Sequence, residues 1–159
     1  MTLREGSLRR AGFPDLSRLV ELWIDVARHH ASLDPLFTLR PEAATEVRRL
    51  LASEIEDDRT AIFVWDAPEG LLGFCSIRVD RAPAIFEETE RAEITDLGVA
   101  PAARRRGVGR GLAEAALRWA AERGIARAEV RVASENCEGQ AFWRVLGFDD
   151  LMDVLQRRL

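Results

Sequence analysis

Between Glu93 and Gly111 the chain gathers two carboxylates, four arginines and four glycines. Asp96-Leu97-Gly98-Val99-Ala100-Pro101 reads as the end of an apolar strand. Pro101 stops it, because proline has no N–H to give a ladder. Arg104-Arg105-Arg106-Gly107-Val108-Gly109-Arg110-Gly111 follows, and an apolar helix begins. A strand, a glycine-rich turn and a helix in that order build an anion site. Unpaired N–H groups converge on one spot, and the helix dipole adds positive charge there. The glycines let a phosphate reach the main chain. The N–H groups of Arg104, Arg105, Arg106, Gly107, Val108 and Gly109 are the expected cradle for a phosphorylated ligand. The side chains of Arg104, Arg105, Arg106 and Arg110 would add charge, although each could equally be a solvated arginine.

Two familiar phosphate patterns are excluded. A P-loop needs Lys followed by Ser or Thr, and this chain has Arg110-Gly111 there and no lysine at all. A dinucleotide fingerprint needs a third glycine where Leu112 stands. Arg104-x-x-Gly107-x-Gly109, preceded by Asp96 to Pro101, instead resembles the acetyl-coenzyme A signature of the GNAT superfamily of N-acetyltransferases. A later stretch supports this. Asn136, Ala141, Phe142, Trp143 and Leu146-Gly147-Phe148 are similar to a second motif of that family, an asparagine before a helix ending in Leu-Gly-Phe. The resemblance covers nearly the whole chain and weakens before Ala61.

The resemblance implies acetyl-coenzyme A as acyl donor, with its pyrophosphate on the turn. It places the pantetheine arm along Leu97, Gly98 and Val99 like an added strand, with Asn136 able to hydrogen-bond it. A main-chain N–H near Leu97 would then polarise the thioester carbonyl. For that, the strand at Ala128 to Val132 must splay away from Leu97 to Val99. The implied acceptor is an amine, small-molecule or peptide, attacking directly in a ternary complex. Homodimers are common in the family. An ammonium of pKa about 10 must first lose a proton. Period-two alternation puts Glu93 on one face with Thr95, Leu97 and Val99, and Asp96 on the other. Glu93 matches the commoner family position and is the first candidate base; a bulge would shift the alternation and bring Asp96 in.

The leaving thiolate is where the chain departs from the family, which commonly supplies a tyrosine in the later motif. Trp143 stands there and the chain has no tyrosine. An indole N–H donates a hydrogen bond but is no practical acid. Trp143 is therefore read as a hydrogen-bond donor or a wall of the site, with Ser134, Cys137 or water as other proton sources. A thiol of pKa near 8.5 also leaves as thiolate at modest cost. The missing tyrosine keeps a second reading open, a non-catalytic acyl-coenzyme A-binding sensor or scaffold. His29 and His30 sit at a helix C-terminus, where the dipole favours them; acceptor recognition is the alternative. The acidic runs at Glu54 to Asp58 and Glu87 to Glu90 read as solvated faces, or as lures for a cationic acceptor. No spacing of His and Cys suggests a metal.

The positioning elements follow from periodicity and punctuation. Strands are expected at Ser7 to Ala11, Ala61 to Trp65, Leu71 to Val79, Ala92 to Val99, Ala128 to Val132 and Phe148 to Leu155. A first helix opens at Pro14-Asp15 with Leu16, Leu19, Val20, Trp23 and Ala27 on one face. A second opens at Pro41-Glu42, burying Val47, Leu50, Leu51 and Ile55. A third buries Leu112, Ala115, Ala116, Trp119 and Ala120 and stops near Gly124. A fourth, Cys137 to Leu146, turns Ala141, Phe142, Val145 and Leu146 inward. Early hairpins imply antiparallel pairing, and the unit from Ala92 to Val132 implies a right-handed parallel crossover. The sum is an α/β three-layer sandwich on a mixed central sheet, with the splayed central strands of the GNAT fold.

Composition sets the outer bounds. The 159 residues suffice for one domain, 1–159, with a real core. Net charge −4 argues against a nucleic-acid binder driven by bulk charge. Two cysteines make no disulfide framework, which points to a reducing, cytoplasmic setting. No apolar run reaches membrane-span length and no signal peptide is evident, so neither membrane nor secretion is expected.

Overall fold

The computed structural model describes residues 6–159. Its elements, in chain order, are β1 (Ser7–Arg10), α1 (Leu16–Leu33), α2 (Ala43–Glu56), β2 (Thr60–Ala67), β3 (Gly70–Arg81), β4 (Glu90–Val99), α3 (Val108–Glu122), β5 (Ala128–Val130) and α4 (Cys137–Val145). The five strands form one sheet in the order β1-β2-β3-β4-β5. Every pairing is antiparallel except that of β4 with β5. This is the expected mixed sheet, with helices on both faces.

Each face has its own apolar layer. On one, α1 and α2 bury Leu16, Leu19, Leu22, Val47 and Leu51 against Ile62, Val64, Leu71 and Phe74. On the other, α3 buries Val108, Leu112, Ala116 and Trp119 against Phe63, Cys75, Ile77 and Ile94. Small residues on α3 let the helix lie close to the sheet. Gly98 does the same for α1: a Cβ there would stand 2.6 Å from Val26 Cγ2 and 2.7 Å from Phe74 Cε1. No bulkier residue fits unless α1 lifts.

The strand that leads to the turn is irregular. Glu93 pairs with Arg78 and Ile94 with Ile77, but the next pair is Asp96 with Ser76. Thr95 is the extra residue of a bulge, and it resets the alternation. Glu93 and Asp96 therefore share the face toward α1 and α2, while Ile94, Leu97 and Val99 turn toward α3. The expected opposition of the two carboxylates is thus corrected. Beyond the bulge, β4 also loses its other neighbour. The β4–β5 pairing stops at Ile94 with Val130, and the edge from Thr95 to Val99 has no strand partner on the β5 side among the described residues. That is the splay, and it begins two residues earlier than β5 was expected to end.

Three further expectations change. No strand forms from Phe148 to Leu155; residues 148–159 are irregular, and Leu151, Met152, Val154 and Leu155 lie exposed. Asp149-Asp150 interrupts any alternation, Asp150 is held by Arg144 at 2.9 Å, and three-residue β5 offers little edge to join. In α2, Leu50 faces solvent, and the buried stripe narrows to Val47 and Leu51. In α4, Val145 is 77% exposed and Ala141 also faces out, while Trp143 is the buried residue. Trp143 sits edge-on between Phe142 and Phe148, at centroid distances of 4.9 and 5.2 Å. Aromatic stacking, not the aliphatic stripe, sets which side of this short helix is inside.

Candidate active site

Where β4 parts from β5 a cleft of about 550 Å³ opens. Its floor is Thr95 to Val99 of β4, and one mouth is the turn before α3. The C-terminal half of α1 (Val26, His29, His30) and the face of α4 (Asn136, Phe142, Trp143) form the walls. Val130, Arg131 and Val132 stand across the gap.

The turn is built as the sequence demanded, with one change. Pro101–Ala103 forms a single 3-10 turn, and the Arg104 N–H is spent on the Pro101 carbonyl at 3.3 Å. Arg104 thus leaves the expected cradle. The Arg104 guanidinium folds back, its Nε donating to the Val99 carbonyl at 3.1 Å. Arg105 then takes φ 60 and Gly107 φ 88, both left-handed. Gly107 adopts this freely, whereas Arg105 is strained. Among the described residues, no acceptor takes the main-chain N–H groups of Arg105, Arg106, Gly107, Val108, Gly109 or Arg110. The first bond of the helix runs from Gly111 N–H to the Gly107 carbonyl at 2.9 Å. Six consecutive main-chain donors thus stand unbonded at a helix N-terminus, the arrangement an anion requires.

The side chains around it divide. Arg104, Arg105 and Arg110 line the cleft, and Arg110 also pairs with Glu114 at 2.8 Å. Arg106 does not line it. Val108 is buried under the turn, so only its amide can serve a ligand. Asn136 caps α4, its Oδ1 accepting from Gly139 N–H at 2.9 Å, and still borders the cleft. Cys137 is exposed and outside the lining, whereas Cys75 is buried, which holds its thiol protonated far above its usual range.

The carboxylates also divide. Glu93 is only 6% exposed and does not border the cleft. Arg78 Nη2 donates to its Oε2 at 2.7 Å, and Arg131 Nε lies 3.5 Å from Oε1. Asp96 borders the cleft floor between Thr95 and Leu97. Burial raises its pKa above the usual carboxylate range; the Thr95 hydroxyl, the Trp23 indole, His30 and Arg78 pull in the other direction. The Trp23 N–H comes near Asp96 without the geometry of a hydrogen bond. His30 faces the same cleft and rests on Phe37 at 5.6 Å. Burial, then His29, lowers its pKa, while Asp96 pulls it up. The structure therefore brings together Asp96, Leu97, Gly98, Val99, Arg104, Arg105, Gly107, Gly109, Arg110, Asn136 and Trp143, and adds His30 to them.

One carboxyl read from the sequence as part of a solvated run is not solvated. Glu54 lies on α2 with Oε2 buried and unpaired, and its pKa is pushed up to about 7, chiefly by burial and then by Asp96. The signal was present: Leu51, Glu54 and Ile55 share one helical face.

Similarity to other proteins agrees with this geometry. Among curated proteins none matches the sequence. Among solved structures, the BH1408 protein from Bacillus halodurans (a tetramutant) aligns at TM-score 0.85 and 18% identity, covering 96% of this chain and 99% of that one. Aminoglycoside N-acetyltransferase AAC(6')-Iy in complex with CoA aligns at TM-score 0.75 and 20% identity, covering 98% and 95%. Aminoglycoside acetyltransferase meta-AAC0020 from an uncultured soil metagenomic sample, in complex with sisomicin, aligns at 0.71 and 17%, covering 97% and 96%. These identities speak to the fold alone. The sequence model of the acetyltransferase (GNAT) family matches residues 17–148, from the first turn of α1 to the phenylalanine that stacks on Trp143. The chain belongs to the acetyltransferase (GNAT) family.

Proposed function

We propose that this protein transfers an acetyl group from acetyl-coenzyme A to a primary amine, by direct attack in a ternary complex. The observation that carries this reading is the run of six unbonded amides, Arg105 to Arg110, opening onto a strand edge that β5 has left free. A pyrophosphate needs several donors at one point, and the turn supplies them without moving. An amide-bearing pantetheine arm needs a strand to pair with, and Thr95 to Val99 has an edge to give. Arg105 and Arg110 add charge at the mouth. The neighbour in complex with CoA supports the same use of the fold.

The acceptor enters between α1 and β4, where Asp96 and His30 meet the cleft. Asp96 takes the proton of the acceptor's ammonium, because it alone of the two strand carboxylates reaches the cleft. The freed amine attacks the thioester carbonyl, the C–N bond forms, and a main-chain N–H near Leu97 stabilises the oxyanion. The C–S bond then breaks and the electron pair leaves on sulfur. Trp143, wedged between two phenylalanines, walls the sulfur end and supplies no acid. The thiolate takes the proton still carried by the attacking nitrogen.

Calorimetry with coenzyme A, and release of free thiol from acetyl-coenzyme A across a panel of amines, test the reading. Binding with turnover on at least one amine is expected. Absence of binding at millimolar coenzyme A would refute it. Asp96→Asn should lower kcat by roughly 10²–10⁴-fold and leave coenzyme A affinity unchanged.

A further inference from the structure

Arginines and carboxylates alternate across β3, β4 and β5 on the face of the sheet that carries Glu93. Arg78 meets Glu93 and Asp80, Arg91 meets Asp80 and Glu129, and Arg127 meets Glu129 and Glu88. Each of these cations has two counter-charges. Arg131 stands at the cleft end of the series and has fewer. Among the described residues its one counter-charge is Glu93, with Nε 3.5 Å from Oε1, and that carboxylate already accepts from Arg78 Nη2 at 2.7 Å. Neither Nη of Arg131 has a hydrogen-bond partner among the described residues, and the side chain is 75% exposed. The alternation is one anion short, and the gap falls in the cleft that Arg131 lines.

The gap lies at the acceptor end. Arg131 and Thr95 are the first residues of their strands past the last β4–β5 pair, Ile94 with Val130. From Thr95 to Val99 the strand runs about 13 Å, and the turn with its free amides comes only after that. The donor's phosphates therefore bind far from Arg131. The ion pair with Glu93 sets Arg131 on the side toward α1 and α2, to which Asp96 also turns. One cation and one carboxylate thus face the same end of one cleft.

We propose that the acceptor is a small zwitterion, a primary amine that also carries a carboxylate, with the carboxylate on Arg131 and the amine at Asp96. This deepens the acetyl-transfer reading and rests on it. A guanidinium grips a carboxylate through two parallel N–H donors, both charge-assisted, and the two Nη groups of Arg131 are free to do so. The other polar groups at this end do not compete. From α4, Glu138 lines the cleft, but it sits in the first turn, where the helix dipole favours it, and it pairs with no arginine among the described residues. From α1, burial disfavours the charged form of His30, so it neither repels the ammonium nor claims the carboxylate. A diamine would set a second cation against Arg131, and a neutral amine would leave it half-paired.

Amide NMR titration, with and without coenzyme A, tests this in the absence of turnover. The probes are glycine, β-alanine, γ-aminobutyrate and δ-aminovalerate, each beside its own carboxamide, which keeps the shape and removes the charge. At least one amino acid should bind roughly tenfold or more tightly than its carboxamide and shift the amides of Thr95 to Val99. In Arg131→Gln that pair should bind alike, and Arg131→Lys should keep part of the preference. The side chain is exposed, so Tm should hold in both variants. If no pair favours the carboxylate in the wild type, or if the preference survives Arg131→Gln, the proposal is overturned. Absence of coenzyme A binding would instead sink the acetyl-transfer reading, with the carboxylate preference still read from the free protein.

Discussion

Gly107 and Gly109 stand two residues apart in the turn and should respond oppositely to alanine. Gly107 holds φ 88, and a Cβ added there would meet nothing within 4 Å, so Gly107→Ala faces only backbone strain. A left-handed alanine costs about 1 kcal/mol, which lowers Tm by about 2–4 °C in a chain of this size. Gly109 lies inside the first turn of α3 without a positive φ. A Cβ there would touch Val99 Cγ2 at 3.5 Å and Phe142 at 3.7 Å, which is ordinary contact. The free protein thus has no need of glycine at 109, and alanine's helix propensity should raise Tm by up to about 2–4 °C. Both touched residues line the cleft, however, so the new methyl stands in the passage from the anion receptor to the strand edge. Losing one charge-assisted hydrogen bond there costs about 1.5–3 kcal/mol, or roughly 10- to 100-fold in coenzyme A affinity. Thermal melts and calorimetry on the two variants decide it. Unchanged affinity in Gly109→Ala, or a lowered Tm, would refute the view that position 109 is glycine for the ligand's sake.

Three other outcomes are expected. Glu93→Gln removes the buried end of the pairs with Arg78 and Arg131; it should cost about 1–3 kcal/mol in urea unfolding while kcat stays within about twofold, and a large kcat loss at unchanged stability would return Glu93 to the chemistry. Burial holds the Glu54 pKa at about 7 in the fold, against 4.5 unfolded. A raised folded pKa gives stability that is full below pH 4.5 and lost as pH rises through 7, by about 3 kcal/mol at most, so Glu54→Gln should flatten the melting profile over that window and be the more stable form at pH 8. Arg9 holds the Asp15 pKa below its ordinary value through hydrogen bonds of 2.8 and 2.9 Å. That contribution is present above pH 3.8 and lost as pH falls, so Asp15→Asn should lower Tm at pH 7 and leave it unchanged at pH 2.

The frame of the molecule was legible because it rests on local signals. Proline at 101 and glycine at 107 punctuate one junction, and the stripe Leu112, Ala115, Ala116, Trp119 is all buried in α3. Where edges and short elements decide, the signal failed. Phe148 to Leu155 has strand-like residues but no strand to join. In α4 the pattern of aliphatic residues was outvoted by Trp143, whose ring finds two aromatic partners. Glu54 was hidden by its company: Glu56, Asp57 and Asp58 are exposed, and only its turn of the helix sends it inward.

The facing of the two carboxylates was misread for a reason that the sequence itself contains. Ala92, Ile94, Leu97 and Val99 are the apolar residues of β4, spaced by two, three and two. A regular strand cannot put all four on one face. Had the pleat continued unbroken through Thr95, either Leu97 and Val99 would leave the α3 layer and Asp96 would enter it, or Ala92 and Ile94 would leave and Glu93 would enter. An unpaired carboxylate among Cys75, Ile77 and Val108 costs several kcal/mol. One extra residue at Thr95 avoids both, at the loss of one strand pair. The apolar spacing therefore forces the bulge, and the bulge turns Asp96 to the face where α1 ends in histidines. The bulge and the splay from β5 begin at the same residue, Thr95, so the irregularity that aims the carboxylate also opens the edge beside it. The facing of Asp96 and the open edge of β4 are two consequences of one interrupted alternation.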